Sequence, residues 1–474
     1  MLIGQILLIA AVTMISRLLL SDTLYKWFLF FYSIFAIFWF QPLTTIRSLD
    51  FWLPVITLIL TIWGWSCINS NNNEKNRENS VSFIIIISFL LFLGTARLIG
   101  FAQLNALVTL PDLSSLLGAI LLIGLTYIGA LRIAYDKKRS PLFILIILLF
   151  IFIILKSNSL SLMASQFLRR INGQPPSLAN SKEIVWIGFS YFAFRLIHSL
   201  IDRQRVKEMG LSLREYITYI VFFPAFIAGP IDRIERFTKQ LRTEICKYRQ
   251  DDIIEGVMRI TRGLFLKFIL ADSLALFSLD NIQANQLISS FWVWIIVYGY
   301  AFRIFFDFAG YTDIAIGLGR LAGFSLPENF NKPYLSKNIT IFWNNWHITL
   351  SQWFRIYYFY PLTRFLRTKL PSLNTGIIIF VTQLSTMILI GLWHGITWNF
   401  ILWGAWNGVG LFLHNQWSSL NISKFRIIKQ IFGSRIGSLL STVLTFNFIA
   451  LGWIWFAMPN LNDALIIFQK LLGL

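Results

Sequence analysis

Charge and cysteine are both scarce in this chain. Only 13% of its 474 residues are Asp, Glu, Lys or Arg, against about 25% in an average soluble domain. Its two cysteines, Cys67 and Cys246, stand far apart, which implies neither a disulfide framework nor a cysteine-rich metal site. Several catalytic signatures are missing as well. There is no P-loop, no dinucleotide glycine fingerprint, no HExxH and no zinc-ligand spacing, so no metal is expected. Without a GxSxG string, a serine nucleophile elbow has no support. No internal repeat is visible. Acidic residues are outnumbered, and the net charge is +19. In a soluble protein that surplus points to nucleic acid. Here the basic residues collect at 132–139, 364–369 and 424–435, in short breaks between apolar runs. Cytoplasmic loops of membrane proteins are basic in this way, so nucleic acid is not an expected partner and the lipid bilayer is.

What the chain has is apolar length. Hydrophobic residues make up 56% of it, and the mean hydropathy is +0.65. A membrane-crossing helix needs roughly 20 apolar residues. Runs at 2–20, 24–40, 51–67, 81–93 and 141–155 approach or meet that test in the first third of the sequence. The N-terminus has no basic n-region and no small-residue cleavage site before Arg17, so its first run reads as a retained span. An all-α, multi-pass membrane protein is expected.

The texture changes at 172–180, NGQPPSLAN, where Pro175 and Pro176 exclude a helix interior. This stretch separates an N-terminal transmembrane helical region, 1–170, from a second region, 171–474. In the second region, spans are expected at 184–200, 217–228, 257–270, 287–308, 375–392, 398–413 and 438–458. Residues 461–474 are expected to lie along the interface. The stretches 231–255 and 326–349 are too polar to cross a bilayer. The latter holds two prolines, five asparagines and a histidine. Irregular polar backbone at membrane depth is tolerated where it is buried in protein or lines a wet cavity, so a re-entrant segment is expected there.

Ionisable groups inside apolar sequence are costly and are functional candidates. Four histidines qualify: His198, His347, His394 and His414. His394 sits in Gly391-Leu392-Trp393-His394-Gly395 between two apolar runs. Its glycines allow close helix approach or a helix break. Trp393, Trp398, Trp403 and Trp406 are placed to wall a slot, and an imidazole there suits general-base work near neutral pH. His347 follows Phe342-Trp343-Asn344-Asn345-Trp346. If the segment is helical, His347 and Ser351 share a face, with Arg355 further on. His198 and His414 fall near span ends and read as interfacial structure. Asp307 and Asp313 lie in an apolar stretch, where an unpaired carboxylate is expensive; Arg303, four residues before Asp307, is the expected partner.

Four strings occur in order over 222–408: FFPAFIAGPIDR, DFAGYTDIAIGLGRLAGF, PENFNKPYLSKNITIFWNNWHITLSQWFR and GLWHGITWNFILWGAWNG. In this order they resemble the membrane-bound O-acyltransferases, most closely the bacterial branch of alginate O-acetyltransferase and teichoic-acid D-alanyltransferase. The resemblance implies a ring of transmembrane helices with re-entrant segments around a central tunnel. It implies an acyl donor on the cytoplasmic side and an acceptor hydroxyl from the other. The family's invariant histidine falls on His394 and its second, more variable one on His347. Where this chain has Asn345 the family often has arginine. The catalytic pair expected from the resemblance is therefore His394 and His347, with Asn344, Ser351, Trp393, Trp398 and Asn399 along the tunnel. No cofactor is expected to stay bound. An acyl thioester, acetyl-CoA or an acyl-carrier protein, would be the co-substrate. The acceptor would be a cell-surface or extracellular polysaccharide, directly or through a periplasmic acetyltransferase partner, and the location a bacterial cytoplasmic membrane. D-alanyl transfer to a teichoic-acid-like polymer is the alternative within the family. A transporter or flippase, whose broken helices look similar, and an export scaffold are the alternatives outside it.

Overall fold

The computed structural model describes residues 2–68, 75–100, 108–133, 141–243, 250–281, 289–419 and 434–473. The basic clusters at 132–139 and 424–435 lie largely outside these residues, as does Cys246. The described residues are helical, with no strand among them. Six of their helices are long and apolar enough to cross a membrane, and a bent pair would make a seventh span. The chain forms two compact units, residues 1–260 with 315–326 and residues 261–314 with 327–474.

The first unit begins with α1 (Ile3–Leu19), α2 (Asp22–Trp39), α3 (Leu49–Ile68), α4 (Asn76–Leu98) and α5 (Leu113–Ile133). Helices α6 (Leu142–Lys156) and α7 (Asn158–Ile171) meet at 100°, so α7 leaves the direction of its apolar predecessor. The bend is cut by Ser157, whose hydroxyl caps α7. The turn-rich stretch at 172–180 then leads to α8 (Phe189–Ile201), α9 (Arg203–Glu208), α10 (Leu213–Ile220) and α11 (Ile234–Arg242).

The expected span at 217–228 does not form. Helix α10 stops at Ile220 and a tight turn follows over Phe223–Ala225. Pro224 has no amide hydrogen to continue the ladder. His198 is not interfacial either. It is 2% exposed, and its Nε2 lies 2.7 Å from the hydroxyl of Tyr219. That hydroxyl is also 2.9 Å from the carbonyl of Asp232. The buried Arg195 donates to the carbonyls of Ile220 and Ala225, so the GPIDR turn is tied to α8 by polar contacts inside the unit.

Helices α12 (Gln250–Leu264) and α13 (Ser290–Leu321) contribute to both units. The π-helical turn Phe265–Ala271 prolongs α12. It packs against Gly310 of α13, where an added Cβ would sit 2.8 Å from the Lys267 nitrogen. Helix α13 is longer than its apolar sequence predicts and carries Arg303, Asp307 and Asp313 within it. Each has a partner on another segment, but not the expected one. Arg303 pairs with Asp280, Asp307 with Lys267, and Asp313 accepts two bonds from Arg262 at 2.5 and 2.6 Å. The charges are neutralised across packed segments, not along the helix.

The rest of the second unit is α14 (Ile339–Asn345), α15 (Ile348–Phe354), α16 (Tyr360–Lys369), α17 (Thr375–His394), α18 (Trp398–Ser419), α19 (Arg435–Ala457) and α20 (Leu461–Leu471). Its core is aromatic: Phe342, Trp346, Tyr334 and Trp453 stack or tilt against one another at 5.1–6.1 Å between ring centres.

Candidate active site

Helices α17 and α18 form a tight hairpin, and glycine is what lets them close. A Cβ at Gly391 would lie 2.1 Å from the carbonyl oxygen of Phe400, and one at Gly404 would lie 2.5 Å from that of Met387. Only a residue without a side chain fits where backbones approach this closely. The α17 helix ends on His394, and Gly395 continues in an extended conformation. His394 is thus carried at the last turn of an apolar helix, at the hairpin's tip.

The half-buried imidazole sits in an aromatic box. Its ring centre is 4.4 Å from Trp393, 4.7 Å from Phe456, 5.7 Å from Trp403 and 5.9 Å from Phe400. Trp403 is one of the expected slot tryptophans. Phe456 comes from α19, more than 60 residues away in sequence, and nothing local marks it.

His347 does not lie on one helix with Asn344. The segment breaks at Trp346, and His347 adopts a left-handed backbone, φ 42° and ψ 56°, as the N-cap of α15. Its ring is 3% exposed and edge-on to Phe308 at 4.7 Å and to Trp393 at 6.2 Å. The two histidines therefore flank the same indole. Ser351 is one turn beyond His347, its amide bonded to the His347 carbonyl at 3.0 Å, but the two side chains have different surroundings.

Ser351 and Asn344 line a cavity of about 350 Å³ that His347 does not. The other polar residues around it are Thr340, Arg355, Tyr360, Gln383, Thr386 and Asn415; Trp343, Phe359, Met387 and Ile390 supply apolar wall. Arg355 donates to the Asn344 Oδ1 at 2.6 Å. The buried Gln383 Oε1 has no hydrogen-bond partner among the described residues. Along α17 the wall runs from Gln383 to Ile390, one helical turn before His394. A mostly apolar pocket of this size with a few converging polar groups is typical of a small-molecule site. Sequence reasoning missed Gln383, Thr386, Thr340 and Asn415, because each looks like an ordinary polar residue in an apolar helix.

Two expected tunnel residues have other work. Asn399 is buried and donates to the Met458 carbonyl at 2.8 Å, tying α18 to the end of α19. Trp398 is 71% exposed at the first turn of α18 and faces outward, where an indole suits a membrane interface. His414 lies within α18, not at its end, and its Nδ1 is 2.9 Å from the Thr340 hydroxyl. Among the described residues no group of three or more His, Cys, Asp or Glu side chains is placed to hold a metal ion.

A family model described as MBOAT, membrane-bound O-acyltransferase family, matches residues 131–431. The chain belongs to this family. It is 32% identical over 279 residues to a teichoic acid D-alanyltransferase of Bacillus subtilis, covering 58% of this chain and 69% of that protein. It is 34% identical over 280 residues to a probable alginate O-acetylase of Pseudomonas putida, 59% of this chain and 53% of that one. A peptidoglycan O-acetyltransferase of Helicobacter pylori is 33% identical over 317 residues, 61% of this chain and 57% of that one. The chain thus spans about two thirds of the D-alanyltransferase and little more than half of the two acetylating relatives. The motif resemblance and the all-α, multi-pass architecture both agree with the family. The chain is a membrane-bound O-acyltransferase by family, and these relatives are named for acyl transfer to teichoic acid, alginate and peptidoglycan.

Proposed function

We propose that the protein moves an acetyl group from a cytoplasmic thioester to a hydroxyl of a cell-surface or extracellular polysaccharide, in a bacterial cytoplasmic membrane, with His394 as general base. The observation that carries this reading is the cavity whose α17 wall stops one turn short of His394. Its polar groups suit the amide-rich arm of an acyl thioester, acetyl-CoA or an acyl-carrier protein. The basic cluster at 364–369 closely follows the cavity residues Phe359 and Tyr360, and basic flanks mark the cytoplasmic side. The donor then enters from the cytoplasm and presents its carbonyl toward the helix end that bears His394.

In the reaction, the acceptor hydroxyl gives its proton to the imidazole as its oxygen attacks the thioester carbonyl. The carbon–sulfur bond breaks, and the imidazolium returns the proton to the departing thiolate. General-base help of this kind is worth about 10²–10⁴ in rate. His347, beside the same Trp393 ring as His394, and Asn344 position the donor and stabilise the developing oxyanion. A periplasmic acetyltransferase receiving the acyl group before the polysaccharide is part of the same proposal.

The test is acyl transfer from radiolabelled acetyl-CoA in membranes carrying the protein or its His394→Ala variant. Loss of at least 100-fold at equal protein level is expected. Near-normal turnover in the variant sinks the assignment. Donor consumption by purified protein without an ion gradient separates the enzyme from a transporter. The D-alanyltransferase relative, matched over 69% of its length, keeps D-alanyl transfer as the second reading; transfer from a D-alanyl carrier protein but not from acetyl-CoA would select it.

A further inference from the structure

The N-terminus of α15 is capped from a distance. The first amides of a helix need acceptors, and the residue at the N-cap usually supplies one through a short polar side chain. Here the N-cap is His347, and its side chain makes no cap bond. Asn329, 18 positions earlier in PENF, takes over. Its carbonyl accepts from the Ile348 amide at 2.9 Å. Its Oδ1 accepts from the Thr349 amide at 3.2 Å and from the Thr349 hydroxyl at 2.6 Å. Asn329 is completely buried. A second tie between the segments, Asn331 amide to Asn345 carbonyl at 3.1 Å, holds the residues before the break.

His347 is also one of three non-glycine residues with positive φ among those described. A side chain in that conformation is strained, and it persists when its surroundings over-determine it. The two residues after His347 are the ones Asn329 grips. Relieved of capping, the imidazole packs between Phe308 and Trp393, whose indole is also the nearest ring to His394.

We propose that Asn329 is a positioning residue for acyl transfer: its side chain caps α15 in place of His347 and so holds the His347 ring against Trp393. This rests on the reading that His347 serves the reaction. Asn329→Leu keeps the branched side-chain skeleton and the backbone bond to Ile348 but removes both acceptor contacts. Asn329→Asp keeps both. Initial rates are measured against donor concentration in membranes, beside His347→Ala. For Asn329→Leu, kcat should fall about 10- to 100-fold, the scale of a misplacement near 1 Å, with the donor KM within twofold. Asn329→Asp should recover most of the loss. A kcat within twofold of wild type in Asn329→Leu, while His347→Ala is impaired, overturns the proposal. So does equal loss in the Leu and Asp variants. Normal turnover in His347→Ala removes the premise and the proposal with it, whatever the outcome at His394. Should Asn329→Leu not accumulate in the membrane, Thr349→Val carries the test, since it removes the hydroxyl bond to Asn329 and keeps the amide bond. About a 2- to 10-fold lower kcat is expected there, and an unchanged kcat overturns the proposal.

Discussion

Gly391→Ala is the sharpest single perturbation of the α17–α18 hairpin. The new methyl carbon would lie 2.1 Å from the Phe400 carbonyl oxygen and 3.0 Å from its carbon. Ordinary contact begins at 3.4 Å, so the methyl falls short of it by about 1.3 Å. The obstacle is backbone, which cannot rotate aside, and the helices must separate by about 1 Å. Overpacking of this kind costs roughly 1–3 kcal/mol. His394 is three residues on from the clash, so the displacement reaches it. A misplacement of 1 Å near the reacting atoms can cost about 100-fold in rate, and that is the expected fall in turnover. The assay is acyl transfer in membranes, with melting of the detergent-solubilised protein alongside. Gly124→Ala in α5, where nothing lies within 4 Å of the added Cβ, is the control. It should leave turnover unchanged and raise stability slightly, by up to about 1 kcal/mol. Wild-type turnover in Gly391→Ala would refute the argument that close backbone approach places His394.

Three further outcomes follow from other parts of the molecule. Thr386→Trp fills part of the 350 Å³ cavity and should raise the donor KM at least 10-fold, while Trp398→Ala, at an exposed position, should leave it unchanged; equal effects would contradict the cavity's role. Removing Arg262 leaves the buried Asp313 carboxylate without its bidentate partner, so Arg262→Ala should lower the melting temperature and Arg262→Ala with Asp313→Asn should regain part of it, since uncompensated buried charge is the main cost. Burial pushes the Glu183 carboxyl up, but bonds from Arg169, Ser165 and Thr45 and the Arg169 charge outweigh it and bring it from 4.5 to about 2. A carboxyl depressed in the folded state stabilises above its unfolded pKa and loses that contribution as pH falls toward the folded one. Stability in detergent should therefore decline between about pH 4.5 and 2, and Glu183→Gln should flatten that decline.

Within the site, legibility followed the range of the interactions. Gly391-Leu392-Trp393-His394-Gly395 could be read from neighbours alone, because a glycine-flanked histidine between two apolar runs is a local pattern. The same glycines allow close helix approach, and the structure closes α17 onto α18 there. The break at Trp346–His347 was not readable. Phe342–Leu350 has helical composition, and what stops the helix is Asn329 gripping Ile348 and Thr349 from another segment. Asn399 reads as a tunnel residue from its neighbours, but its amide donates to the Met458 carbonyl. Arg303 had Asp307 at helical spacing, yet Asp280 holds it.

Composition and apolar run length by themselves determined that this chain lives in a bilayer, since the cost of exposing such runs to water depends on residue type and not on fold. The ordered motifs determined the family and put His394 forward. The tertiary structure alone decided which polar groups meet. In a chain this apolar nearly every helix face is greasy, so periodicity does not say which faces pack together. The partners of His198, Arg303 and Asn399, and the cavity that stops one turn short of His394, arise where distant segments come together.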